Sequence, residues 1–356
     1  MVSIAEFSLE FLTIVIGTLV LAIFGIFFGL IYKGIDRKLS AHMQGRIGPP
    51  IRQPFRDVVK LFTKENIVPD NAISWIFNWA PLVGLVGTIV ILLYLPLGSI
   101  NPIADGSGDL ILILYLLMIP SLAMVIGGFA SGSTYATVGA QREMATMIAY
   151  EFPLAIIIVT IAWILKTINV EATNVFSLSF IATNPLWGNF GILGFIGFII
   201  LLIVLVIVTP AELSKIPFDS PEAETEIAGG LLTEYSGRNL GIFYLTDAVK
   251  TVVMATIIVA LFFPYNISGF FGLVNIPAIA VDFVFYLIKV LVVILFSVTL
   301  IRVAIARLKI DQIVGTYWMW ITLLGLVGLI CIMWDYQMIQ RYSEIYKPIF
   351  SILGLQ

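Results

Sequence analysis

The chain is poor in the residues on which redox and metal chemistry depend. Of its 356 residues, one is a cysteine, Cys331, and one is a histidine, His42. One cysteine makes no intrachain disulfide and cannot by itself hold an iron–sulfur cluster, which needs several thiolates. One histidine excludes a bis-histidine haem site built within the chain. Charge is scarce as well: Asp, Glu, Lys and Arg make up 12% of residues, and the formal net charge is −3. The basic footprint of a nucleic-acid binder is therefore missing, and no nucleic-acid partner is expected. The opening residues MVSIAEFSLEFL carry Glu6 and Glu10 and no basic n-region. They do not read as a cleavable signal, so the first apolar run is expected to be kept. No internal repeat, low-complexity tract or separate soluble unit breaks the sequence, which reads as a single membrane domain over residues 1–356.

What is plentiful is apolar. Hydrophobic residues make up 60% of the chain, and its mean hydropathy is +1.05. Eight runs, near 11–31, 73–97, 110–130, 145–167, 191–209, 241–263, 283–301 and 317–334, reach the roughly 20 residues that cross about 30 Å of hydrocarbon as a helix. Inside lipid every backbone group needs an internal partner, so these runs predict an all-α integral membrane protein. Basic residues then set its direction. The connections after the first, third, fifth and seventh runs hold fourteen Lys and Arg, against Lys166, Arg341 and Lys347 on the other side. By the positive-inside rule both termini lie outside and the large loops face the cytoplasm of a cell inner membrane.

The polar stretch between the fifth and sixth runs, Thr209 to Arg238, reads TPAELSKIPFDSPEAETEIAGGLLTEYSGR. It holds Glu212, Asp219, Glu222, Glu224, Glu226 and Glu234 against Lys215 and Arg238. The acids are threaded among Leu213, Ile216, Phe218, Ile227, Leu231, Leu232 and Tyr235. A solvated connector carries few large apolar side chains. This one predicts a loop folded back against the membrane domain, with its carboxylates partly buried. Clustered carboxylates repel one another, which suits some of them to proton exchange near neutral pH.

Other polar residues stand out against the apolar background. Glu151 lies inside the fourth run, two residues before Pro153. An acid at that depth costs about 2–3 kcal/mol, so it should face a partner or water and is a pathway candidate. Asp247 and Lys250, three residues apart, share a helical face on which they can neutralise each other, as a structural ion pair or as part of a proton relay. Lys289 must snorkel or find a partner on another helix. In the first loop, QPFRDVVKLFTKEN puts Phe55, Val58, Val59 and Phe62 on one face, the pattern of a short helix at the membrane surface. Gly127, Gly128, Ala130, Ser131, Gly132 and Ser133 permit close packing after the third run.

The central motif AE-x4-PFD-x-PE-x-E-x-E, followed by EYSG, is similar to a signature of the membrane-anchor subunit of respiratory complex I. That protein, NADH dehydrogenase subunit 1 (the H subunit in another nomenclature), also occurs in membrane-bound nickel–iron hydrogenases. In the first loop, DRK, MQ-x-RIGP and QPF-x-D-x2-KL-x2-KE resemble the same family, as does Arg142 nine residues before Glu151. An acid near Asp247 and the run Arg302, Arg307, Lys309, Asp311, Gln312 do so too. The resemblance implies a membrane anchor that docks a peripheral redox arm and links electron transfer to H+ or Na+ translocation, with no redox centre of its own. Its coupling residues would be Glu151, Glu212, Asp219, Glu222, Glu224, Glu226, Glu234, Asp247 and Lys250. Docking would fall to Arg37, Arg46, Arg56, Lys60, Lys64, Arg142, Arg302, Arg307 and Asp311. The implied partners are cluster-bearing, hydrogenase-like peripheral subunits and antiporter-like membrane subunits. Iron–sulfur clusters, and in hydrogenases a nickel–iron centre, would lie in those partners, so this chain needs no cofactor. Gly48-Pro49-Pro50 runs almost directly into Gln53-Pro54, where quinone-reducing members carry extra residues. The shortening points to the ferredoxin-linked hydrogenases or their sulfur-reducing relatives before quinone or phenazine reductases. A stand-alone ion-coupled transporter and a purely structural anchor remain as alternatives; the first is disfavoured by the missing inverted repeat.

Overall fold

The computed structural model describes residues 4–168, 174–272 and 274–352, and side chains between Leu12 and Met338 within those ranges, Asn189 excepted. Glu6, Glu10, Arg341 and Lys347 lie outside the described side chains. Eight helices among the described residues are long and apolar enough to cross a membrane. They correspond to the eight expected runs, and the chain is an all-helical, multi-pass membrane protein.

The first span is α1 (Ile4–Met43), followed by the short α2 (Gln53–Thr63). Spans two to four are α3 (Ser74–Tyr94), α4 (Asp109–Ala130) and α5 (Thr134–Ile168). After the short α6 (Leu178–Thr183) comes the fifth, α7 (Ile192–Glu212); the one-turn α8 (Glu224–Ile227) lies in the acidic loop, and the sixth span is α9 (Gly237–Phe262). The seventh is α10 (Ile276–Ile294), continued through a π turn at Leu295–Thr299 into α11 (Leu300–Ala304). The last combines α12 (Ile310–Gly315), a second π turn at Thr316–Ile321 and α13 (Thr322–Ile352).

Two helices outrun their apolar cores. The α5 helix begins at Thr134, well before residue 145, because Arg142 and Glu143 end the hydrophobic run without ending the helix. Both find partners in the folded protein: Arg142 pairs with Glu226, and Ser214 Oγ donates to Glu143 Oε2 at 3.3 Å. The α1 helix likewise continues to Met43, and its extension places Lys33, Asp36, Arg37 and Ser40 on one face by the 3.6-residue period.

The bundle is centred on α9. Its sequence interleaves Gly, Ala and Thr with large aliphatics, and from Ala248 to Phe262 every residue is buried. A helix enclosed on all sides presents both its polar and its apolar faces to protein. It packs against α1, α2, α3, α7 and α10, so Asp247 and Lys250 sit in the middle of the molecule.

The acidic loop folds back as expected, with Leu213, Phe218, Ala223, Ile227, Leu231 and Tyr235 buried. Two glycines let it come close. A Cβ on Gly139 of α5 would stand 2.7 Å from the Leu231 nitrogen and 2.9 Å from the Pro221 carbonyl oxygen. A Cβ on Gly128 would stand 2.7 Å from a Leu231 methyl. Tyr235 is then seated flat on Phe77, with ring centroids 4.1 Å apart and an interplanar angle of 3°. The surface helix α2 divides its apolar residues: Val58 is buried with Leu30, Leu245 and Ala248, whereas Val59 and Phe62 are exposed.

Candidate functional site

Beneath the acidic loop lies a cavity of about 380 Å³. Its wall carries Asp36, Glu212, Asp219, Glu222, Glu224 and Asp247, and against them Lys33, Arg37, Lys215, Lys250, Arg302 and Arg307. The loop taken alone is strongly acidic; the cavity is balanced because α1, α9, α11 and the connection after α11 bring further cations. Opposite charges at this density must be paired, since an unpaired charge away from water is costly.

The pairs form three layers. At the loop surface, Arg307 grips Asp219 through two bonds, Nε to Oδ1 at 2.8 Å and Nη2 to Oδ2 at 2.6 Å, and also donates to Thr225. Nearby, Arg302 Nη1 reaches Asp36 Oδ2 at 3.1 Å, while Thr299 Oγ1 donates to Asp36 Oδ1 at 2.7 Å. The π turn ends at Thr299, so it sets where that hydroxyl points. In the middle layer, Asp247 Oδ2 accepts both Lys33 Nζ and Lys215 Nζ at 2.6 Å. Deepest, Lys250 Nζ meets Glu212 Oε1 at 2.8 Å and donates to Ser121 Oγ at 2.9 Å. The Tyr150 hydroxyl lies 3.4 Å from Ser121 Oγ.

This arrangement corrects the expected local neutralisation of Asp247 by Lys250. Each prefers a partner from another element. The single loop lysine, Lys215, completes the anchoring of Asp247, and Arg37 serves the same region by donating to Asp57 Oδ2 at 3.0 Å and to the Tyr244 hydroxyl at 2.6 Å. Lys289 is likewise held by neutral groups, the Phe263 and Tyr265 carbonyls at 2.8 and 2.9 Å.

Glu222 projects into the cavity between these pairs and remains half-buried. Burial, with Asp247 and Asp219 nearby, pushes its carboxyl up to about 7 in spite of Lys215 and Lys33. Burial alone would lower Lys215, yet Asp247 and Glu222 beside it hold it above its ordinary value. Glu224 and Glu226 are exposed, Glu224 at the cavity rim and Glu226 on Arg142. Glu234 is half-buried and forms no part of the cavity wall.

Glu151 keeps part of its side chain open, and its Oε1 is buried without a hydrogen-bond partner. It is not the most deeply set acid of α5. Glu143, which sequence reading left in a connection, is 1% exposed, with Lys250, Glu212 and Glu222 as its electrostatic neighbours. Lys33 and Asp36 lie in the basic stretch that follows the first apolar run. Their spacing from Arg37 and Ser40 along one helical face was the available signal for both.

The docking candidates separate into two sets. Arg37, Arg142, Arg302 and Arg307 are engaged by acids of the same chain. Arg46, Arg56, Lys60, Lys64 and Asp311 are exposed, with Arg46 donating to Gln44.

Residues 16–333 match the family described as NADH dehydrogenase. The H subunit of the NADH-quinone oxidoreductase of Syntrophotalea carbinolica is 31% identical over 83% of this chain and 87% of its own length. The H subunit of the F(420)H(2) dehydrogenase of Methanosarcina mazei is 30% identical, covering 92% of this chain and 95% of its own. Among solved structures, a chain of the membrane-bound sulfane sulfur reductase, an archaeal respiratory membrane complex, superposes with a TM-score of 0.74. It is 28% identical and covers 88% of this chain and 98% of its own. With most of its length matched by the family and by relatives of near-equal extent, the chain belongs to the NADH dehydrogenase subunit 1 family of complex I-like membrane proteins.

Proposed function

We propose that the chain couples a peripheral redox arm to ion translocation in a membrane complex of the ferredoxin-linked hydrogenase or sulfur-reducing kind. The observation that carries this reading is the continuity of titratable groups from the loop surface into the bundle. Glu222 and the Lys33–Asp247–Lys215 triad lead to Lys250–Glu212, with Glu143, Tyr150 and Glu151 beyond. A redox event in a docked partner that recharges or shifts the loop alters this balanced array, and protons or Na+ move in response. The exposed cations Arg46, Arg56, Lys60 and Lys64 offer a docking surface on the same end, which the basic asymmetry assigns to the cytoplasm. Clusters and any nickel–iron centre belong to the docked partners, and antiporter-like proteins complete the membrane arm.

The short Gly48–Gln53 segment and the likeness to a sulfane sulfur reductase chain support the hydrogenase or sulfur-reducing branch. So does the charged wall of the cavity, which suits water and protons better than an isoprenoid quinone.

The test is ion pumping in sealed vesicles, normalised to assembled complex. Glu151→Gln keeps shape and loses the titratable proton. Assembly and electron transfer to an artificial acceptor should persist, while pumping falls at least about tenfold, a barrier increase of roughly 1.4 kcal/mol. Pumping at the wild-type rate would leave docking as the chain's only task.

A further inference from the structure

Where α7 runs out into the acidic loop, the helix is closed by two backbone bonds. The Ser214 N–H donates to the Ala211 carbonyl at 3.0 Å, and the Lys215 N–H to the Pro210 carbonyl at 2.8 Å. Such a cap turns on one left-handed residue, and here that residue is Ser214, with a φ of 47°. Glycine ordinarily fills the position, because a Cβ on a left-handed residue crowds the backbone. The helix therefore ends on a strained side chain, and what serine adds over glycine is a single CH2OH group.

That hydroxyl is not spent on the cap. Among the described residues Ser214 Oγ donates only to Glu143 Oε2 of α5, at 3.3 Å. Ser214 also lines the cavity beneath the loop, together with Glu212, Lys215 and Asp247. Glu143 is 1% exposed and forms no part of the cavity wall. Its second oxygen, Oε1, is buried with no hydrogen-bond partner, and no described lysine or arginine forms an ion pair with its carboxyl. A buried carboxyl exchanges its proton only through a protic group that reaches it. Of the side chains on the cavity wall, Ser214 alone is hydrogen-bonded to Glu143.

We infer that the Ser214 hydroxyl is the proton bridge between the cavity and Glu143. Oγ passes its hydrogen to Glu143 Oε2 and takes another from a water molecule in the cavity. One O–H bond forms for each that breaks, and the serine is regenerated. The left-handed backbone fixes the direction of the Cα–Cβ bond and so holds Oγ against α5, which explains why a strained serine stands where glycine would fit. This inference rests on the coupling function proposed above.

The experiment measures ion pumping by the complex in sealed vesicles, per assembled complex, beside electron transfer to an artificial acceptor. Three substitutions separate the hydroxyl from the backbone. Ser214→Gly relieves the strain and deletes the hydroxyl, and Ser214→Ala keeps the strain and deletes it. Ser214→Cys keeps the stem and a protic hydrogen. The glycine and alanine variants should both lose pumping at least about tenfold while electron transfer persists. The cysteine variant should pump faster than either. A serine with a purely structural role gives another order, in which Ser214→Gly, the change the backbone favours, pumps at the wild-type rate or above it. That result would overturn the bridge, as would a cysteine variant no better than alanine. The glycine and cysteine variants decide the matter even if Ser214→Ala does not assemble. Glu143→Gln in the same assay tells the two readings apart. Pumping that falls in Glu143→Gln but not in Ser214→Gly removes the bridge and leaves the coupling function standing; pumping unchanged in both removes both.

Discussion

Lys250 Nζ lies 2.8 Å from Glu212 Oε1, and the two side chains, one from α9 and one from the end of α7, are 3% and 2% exposed. Breaking one half of such a pair strands a charge in a dry interior. Lys250→Met or Glu212→Gln alone should therefore destabilise the protein by about 3–5 kcal/mol, and the double substitution should recover most of that loss. Thermal unfolding of the purified complex reads the effect. Losses that simply add would show that the two groups do not depend on each other.

Asp247 holds two lysines from different elements, Lys33 of α1 and Lys215 of the acidic loop. Removing its charge releases the loop from α9. Asp247→Asn should speed hydrogen exchange across residues 213–236, and adding Lys33→Met should restore part of the protection by relieving lysine–lysine repulsion. Unchanged exchange in the single variant would mean that the buried apolar side chains alone hold the loop.

Glu222 has a folded-state pKa of about 7, raised from 4.5 chiefly by burial. Between those values the folded chain keeps a proton that the unfolded chain has lost. The stability tied to this proton is fully present below about 4.5 and is lost as pH rises through about 7. Glu222→Gln, fixed in the neutral form, should remove that component from both thermal stability and coupled turnover. A pH profile identical to wild type across this range would exclude Glu222 as the titrating group.

Topology is open to labelling. In a background with Cys331→Ser, Lys60→Cys and Thr233→Cys should react only from the cytoplasmic side, and Ser107→Cys and Phe270→Cys only from outside. All four positions are exposed, unlike Ser220, which is buried in the folded loop. The reverse pattern would invert the orientation read from basic residues.

The eight spans and the all-helical class were legible from residues alone, because crossing lipid is a demand each segment meets by its own length and hydropathy. The return of the acidic loop was legible for a similar reason: its acids alternate with large apolar side chains that have to be buried somewhere. The family was legible because its signature is local, from Ala211 to Gly237, with shorter matches in the other loops.

Partner choice among buried charges was decided by the tertiary structure. Asp247 and Lys250 share a helical face, yet packing brings Lys33, Lys215 and Glu212 closer to them than they are to each other. In a low-dielectric interior an ångström of approach outweighs adjacency in sequence. The same packing draws six cations from four parts of the chain around the cavity and takes Glu143 from an apparent connection into the wall of the bundle. Hydropathy records how much charge a segment carries; only the meeting of helices determines which charge each acid will face.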